Sequence, residues 1–189
     1  MSAVVAILYE DERGQVRDYP LHTLVVACVA DALGLGSEVV SPLLRAVPKK
    51  GDSKLLKACK DEPPRMRELN VFALFDADKL HRLLKVPKDM PLPKQLAELQ
   101  AQLLDPTRPR VFLLERNTET LVDAAADCLA RPRPEAKSTL DRDKLLASAA
   151  WDLSRASRDC IRTHVPSFAD FLDELTPLIR NATAASIKA

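Results

Sequence analysis

The chain has 189 residues, 47% of them hydrophobic but only 4% aromatic, with 14 prolines and 4 glycines. That length supports one domain with a sizeable core, or one domain with a small appendage, and the core must be built mainly from Leu, Val, Ala and Ile. A formal charge of +1, from 28 basic and 27 acidic residues, excludes a bulk electrostatic binder of polyanions and leaves room for a local basic patch. Scarce Gly argues against a Gly-rich nucleotide-binding fold, and plentiful Pro describes a chain cut into defined segments. Cys28, Cys59, Cys128 and Cys160 are widely scattered, without CxxC or Cys/His zinc spacing, so buried free thiols in a reducing cytosol are expected.

The first element is the apolar run of residues 3–9, which reads as a strand buried on both faces. It lacks a basic n-region and leads straight into Glu10-Asp11-Glu12, so it is not a signal peptide. No apolar stretch approaches the roughly 20 residues of a membrane span. A soluble cytoplasmic protein without a membrane partner is the expectation. Pro20 opens a helix over 20–33, closed by Gly34. Residues 38–47 fit a short helix followed by a strand, or either alone. Residues 48–53 read as a loop, with Asp52 or Ser53 placed to cap a helix over 54–60.

After the break at Pro63-Pro64, residues 70–75 form the second buried strand and run into Asp76-Ala77-Asp78. A helix begins at 79–84, a Pro-rich loop follows, and 94–104 is helical. Residues 110–114 are the third strand, ending in Glu115, with Asn117 or Thr118 capping a helix to Leu129. The Pro-rich stretch 131–134 reads as a linker, 141–160 and 167–179 as helices, and 181–189 as a frayed tail. Trp151 and the Phe168/Phe171 pair sit at helical spacing among aliphatics and are assigned to the core. Alternating strands and helices predict an α/β fold with a doubly wound, mostly parallel sheet, organised as an α/β domain over 1–130 and a helical extension over 135–180.

Three apolar strands end in acids: Glu10 with Asp11 and Glu12, Asp76 with Asp78, and Glu115 followed by Glu119. Ligands of open α/β sheets bind outside the carboxyl ends of the strands. Converging carboxylates repel one another, and a hard cation such as Mg²⁺ or Mn²⁺ relieves that repulsion while keeping waters for substrate phosphates. Alternate residues of an extended strand point the same way, so Asp76 and Asp78 can address one ion. Each acid taken alone also fits a helix cap or a solvated loop, as Asp78 before residue 79 illustrates. Lys49-Lys50-Gly51-Asp52-Ser53-Lys54 is a phosphate-binding candidate through its lysines and the N–H groups of a helix start, with a solvated turn as the alternative. It lacks the glycine spacing of a Walker A loop. His22, His81 and His164 are far apart and read as surface or cap residues.

The order strand–Glu10, helix, basic Gly-containing loop, strand–Asp76-x-Asp78 resembles the TOPRIM domain of topoisomerases, primases and nucleases. Glu115-Arg116-Asn117-Thr118-Glu119 is similar to the Asn-x-Glu element of overcoming-lysogenization-defect-type nucleases and their small stand-alone bacterial relatives. Residues 137–146 and 165–172 resemble the tail of those relatives. The resemblance implies a TOPRIM-like nuclease that hydrolyses DNA or RNA phosphodiesters with Mg²⁺ or Mn²⁺, in bacterial defence. It makes Glu10 the acid/base or metal carboxylate, Asp76 and Asp78 catalytic metal ligands, and Glu119 a ligand for a second ion. Lys49, Lys50, Gly51 and Lys54 would then hold the substrate phosphate, and an operon-encoded protein partner joins nucleic acid as an expected partner. The family places Gly directly after the first Glu, whereas here Asp11-Glu12 intervenes and Gly14 comes late, so Glu10, Asp11 and Glu12 compete for one role. A catalytically silent binding module for a protein or nucleic acid, and a small phosphatase or nucleotide hydrolase, are the alternatives.

Overall fold

The computed structural model describes residues 2–10, 20–67, 69–103, 105, 108–114, 118–134, 139–152 and 155–187, the side chains of 139, 152, 155–157, 186 and 187 excepted. The chain runs β1 (Val5–Glu10), α1 (Pro20–Leu33), α2 (Ser37–Val40), β2 (Leu44–Lys49), α3 (Asp52–Asp61), β3 (Asn70–Asp76), α4 (Leu80–Leu84), α5 (Leu92–Ala101), β4 (Arg110–Leu114), α6 (Thr118–Cys128), α7 (Thr139–Asp152), α8 (Arg155–His164) and α9 (Pro166–Ile187). The strands form a four-stranded parallel sheet in the order β2-β1-β3-β4. The path steps from β1 out to β2, then crosses back to β3 and on to β4. That reversal makes the sheet doubly wound, as expected, and opens a switch point between the carboxyl ends of β1 and β3.

Contacts group the chain into two compact units. A sheet unit comprises Ala3–Val16 with Arg45–Asn117, and a helical unit comprises Met1–Ser2, Arg17–Leu44 and Thr118–Ala189.

In the sheet unit, Leu8, Val71, Ala73, Phe75 and Val111 line one face and pack with Leu55, Leu56 and Cys59 of α3, Leu80 and Leu84 of α4, and Leu99 of α5. Ile7, Tyr9, Phe72 and Leu74, on the other face by alternation, are buried as well. Unbroken apolar runs are what strands covered on both sides require. The Phe72 ring stacks on Phe112 at 5.8 Å, and the Arg110 guanidinium lies 5.7 Å from the centre of the Phe72 ring.

Residues 38–47 resolve as both elements, since α2 leads through a 3-10 turn, Ser41–Leu43, into β2. The loop expected from residue 48 begins later, because β2 continues through Pro48 to Lys49. β2 is an edge strand, and an edge tolerates a residue without an N–H. Helix α3 starts at Asp52, after Gly51 with φ 80° and ψ 163°. That backbone region is essentially reserved for glycine. A Cβ at Gly51 would meet nothing within 4 Å, so only backbone strain opposes a side chain there. Gly51→Ala is expected to destabilise the protein by about 1–3 kcal/mol, read as a lower urea midpoint at unchanged slope.

In the helical unit, α1 has the expected bounds. Gly34 at φ 66° ends it, with Leu35 N–H donating to the Ala30 carbonyl (2.9 Å) and Gly34 N–H to that of Asp31 (3.1 Å). These two bonds form a Schellman closure, which needs a residue tolerant of left-handed backbone. Helix α1 packs on α7 and α9, and α6 packs on α7 and α8. The Arg158 fork clasps Asp31, Nε to Oδ2 at 3.1 Å and Nη2 to Oδ1 at 2.8 Å.

Four expectations are corrected in this unit. The helix foreseen over 141–160 is two helices, α7 and α8, on either side of residues 153–154, which lie outside the described residues. The tail foreseen as frayed is helical as far as Ile187, because α9 continues through it. Trp151 is 71% exposed. The buried stripe of α7 is Leu145, Leu146, Ala149 and Ala150, and Trp151 falls one step round the helix from it. Cys128 and Cys160 form a disulfide rather than free thiols, because the end of α6 packs against α8. Cys28 and Cys59 are free and buried, as expected, and burial pushes both thiols up to about 12. Phe168 and Phe171 are fully buried, with ring centres 6.2 Å apart.

Candidate functional site

Glu10 is the last residue of β1 and Asp76 the last residue of β3, on adjacent parallel strands whose register pairs Tyr9 with Leu74. The two acids therefore end neighbouring strands at the switch point. Strand alternation sends Glu10 to the face of Leu8 and Phe75, and Asp76 to the other face. They still meet at the strand tips, because the Asp76 backbone N–H donates to the Glu10 carboxyl. Asp52, the first residue of α3, and Lys79, just after β3, both act electrostatically on Glu10.

The resulting balance favours a proton on Glu10. Burial raises its pKa from 4.5 to about 7, with Asp76 and then Asp52 adding to the rise, while the Lys79 ammonium and the Asp76 N–H oppose it. A half-buried acid poised near neutrality beside other carboxylates marks a functional-site candidate on physical grounds.

The remaining predicted residues are placed as follows. Asp78 is exposed in the 3-10 turn Ala77–Lys79, two residues past the strand, so strand alternation no longer sets its direction relative to Asp76. Glu119 is exposed in the first turn of α6, in the helical unit, and pairs with Arg142 at 3.1 Å. Lys49 pairs with Glu62, whereas Lys50 and Lys54 are exposed on either side of the turn into α3. Asp11, Glu12, Gly14, Glu115 and Asn117 lie outside the described residues. His22 is half-buried in the helical unit rather than on the surface. Burial lowers its pKa to about 4, opposed by its hydrogen bond to the Leu44 backbone.

Asp52 and Lys79 escaped the sequence reading. Asp52 reads as a helix cap, and only the return of α3 to the tip of β1 gives it a second role. The signal for Lys79 was its position directly after Asp76-x-Asp78.

The donor set at the strand tips is all oxygen, which suits a hard divalent ion. Among the described residues, no three carboxylates bring ligand oxygens within 4.8 Å of one another, and the group that meets this spacing is Cys128, Cys160 and His164. Glu10 and Asp76 thus suit an ion held by one or two carboxylates and completed by substrate phosphates, the usual manner of Mg²⁺.

No protein-family model matches the chain, and no curated protein matches it. Among solved structures, it is similar to the C-terminal region of the Xanthomonas campestris pv. campestris OLD protein, at 13% identity and a TM-score of 0.40, over 91% of this chain and 96% of that one. Among the described residues, no single helix is long and apolar enough to cross a membrane.

Proposed function

We propose that the chain is a TOPRIM-like, Mg²⁺- or Mn²⁺-dependent nuclease that hydrolyses DNA or RNA phosphodiesters. The observation that carries this reading is the meeting of Glu10 and Asp76 at the β1/β3 switch point, with Glu10 raised to about 7. Glu10 and Asp76 would hold the ion, with Asp52 beside them. A bound divalent ion would neutralise these carboxylates and acidify a water for attack on phosphorus.

The residues of the chain supply the rest. With the ion bound, the Glu10 carboxylate would stay ionised, so its pKa near 7 describes the metal-free chain. The Asp76 N–H fixes the direction of the Glu10 carboxyl, and Lys79 favours its ionised form. Exposed Lys50 and Lys54, with the N–H groups around Gly51, are assigned to the substrate phosphate. Asp78, exposed two residues past Asp76, is assigned to the same ion. Bacterial defence, in a cytoplasmic setting and with an operon-encoded partner, is the biological role that the sequence resemblance adds.

The test is incubation of the protein with supercoiled plasmid and with single-stranded DNA and RNA, in Mg²⁺ or Mn²⁺, comparing the natural chain with Asp76→Ala. Metal-dependent nicking that Asp76→Ala loses supports the assignment. Equal nicking by both proteins, or none by either, sinks it.

A further inference from the structure

The helical unit brings together three soft metal ligands that the strand-tip site does not use. Cys128 is the last residue of α6, while Cys160 and His164 lie on α8 four residues apart, on one face. The Cys128–Cys160 disulfide joins the two helices, with Cα atoms 6.0 Å apart. His164 Nδ1 lies 3.5 Å from Cys160 Sγ and 3.9 Å from Cys128 Sγ. Zinc–sulfur and zinc–nitrogen bonds of about 2.3 and 2.0 Å in a tetrahedron set sulfur and nitrogen roughly 3.5 Å apart. The imidazole therefore already stands near ligand distance from both sulfurs.

We propose that the reduced chain binds one Zn²⁺ through Cys128 Sγ, Cys160 Sγ and His164 Nδ1, and that forming the disulfide expels it.

The chemistry balances. A dithiol reductant gives two electrons and two protons to the disulfide, leaving two thiols and becoming a disulfide itself. Zn²⁺ then displaces both thiol protons, so that two thiolates cancel its charge. For expulsion, a small-molecule disulfide takes two electrons from the thiolates and leaves as two thiolates, while the Cys128–Cys160 bond re-forms.

Two local features support a cation here. Cys128 ends α6, where the carbonyl end of the helix dipole favours positive charge. His164 is exposed and the two cysteines are half-buried, which leaves an entry path and room for water as fourth ligand. In the disulfide form His164 Nδ1 is 2.9 Å from the Cys160 carbonyl, to which it donates its proton. Zinc binding requires that proton on Nε2 instead.

The experiment uses the full chain, reduced and freed of metal, titrated with Co²⁺ and then Zn²⁺. One equivalent of Co²⁺ should give a thiolate-to-cobalt charge-transfer band that Zn²⁺ abolishes. The chain oxidised with glutathione disulfide should give no band. His164→Asn, at an exposed position that does not threaten folding, should weaken Co²⁺ by more than the roughly 10- to 100-fold that loss of a supporting partner costs. Cys128→Ser/Cys160→Ser should lose the band while buried Cys28 and Cys59 remain. A band that survives in the oxidised chain or in the double variant overturns the proposal. So does reduced natural protein that binds Co²⁺ no more tightly than His164→Asn.

Discussion

Glu10→Gln is expected to abolish hydrolysis while making the protein more stable at pH 8. The activity side follows from loss of a carboxylate that would hold the ion. The stability side follows from the raised pKa. An acid whose folded pKa of about 7 exceeds its ordinary 4.5 binds its proton more tightly when the chain is folded. Its contribution is full below pH 4.5 and is lost as pH rises through 7. At about 1.4 kcal/mol per unit, the natural chain should lose roughly 2–3 kcal/mol over that window through this one group. Glutamine cannot ionise, so the variant should lack that part of the decline. Chemical denaturation at pH 4.5, 6 and 8 reads the difference. Millimolar Mg²⁺ should then stabilise the natural chain at pH 8, and Glu10→Gln much less. A variant whose pH profile parallels that of the natural chain would remove Glu10 from the role assigned to it.

Phe72→Ala should be the most damaging core change, costing about 3–5 kcal/mol. Phe72 is fully buried on a central strand, with Phe112 stacked on it and the Arg110 guanidinium over its ring. Truncation removes the stacking, leaves a cavity in close-packed surroundings and strips Arg110 of its aromatic face. Phe72→Leu, which keeps most of the volume, should cost well under half as much, and paired denaturant titrations would show the gap. Near-equal losses would mean that ring geometry rather than volume dominates at this position.

The parts of the fold legible in the sequence were those with local causes. Pro20 and Gly34 bracket α1, since one presets the first helical turn and the other supplies the left-handed backbone that ends it. Residues 70–75 and 110–114 announce strands because central parallel strands must be apolar on both faces. β2 was less legible because an edge strand bears weaker demands and accepts Pro48. Continuation of α9 past Asn181 was hidden because Ala and Thr carry neither a clear stripe nor a stop signal.

The site divides in the same way. Glu10 and Asp76 could be read from strand ends, but the contribution of Asp52 depends on where α3 returns, which no local pattern encodes. The Cys128–Cys160 pairing, across 32 residues, depends on α6 meeting α8.

The helical unit is assembled mainly from two stretches of sequence, 17–44 and 118–189, separated by residues 45–117. During synthesis α1, with Leu24, Val25 and Val29 buried in the finished protein, leaves the ribosome long before α7 and α9 exist to cover it. An apolar helix kept waiting in this way invites chaperones and mispairing. A chain cut after Cys128 would hold every strand of the sheet and yet leave α1 permanently without α7 and α9. Nascent chains stalled there should therefore be far more protease-sensitive around residues 20–33 than chains released in full.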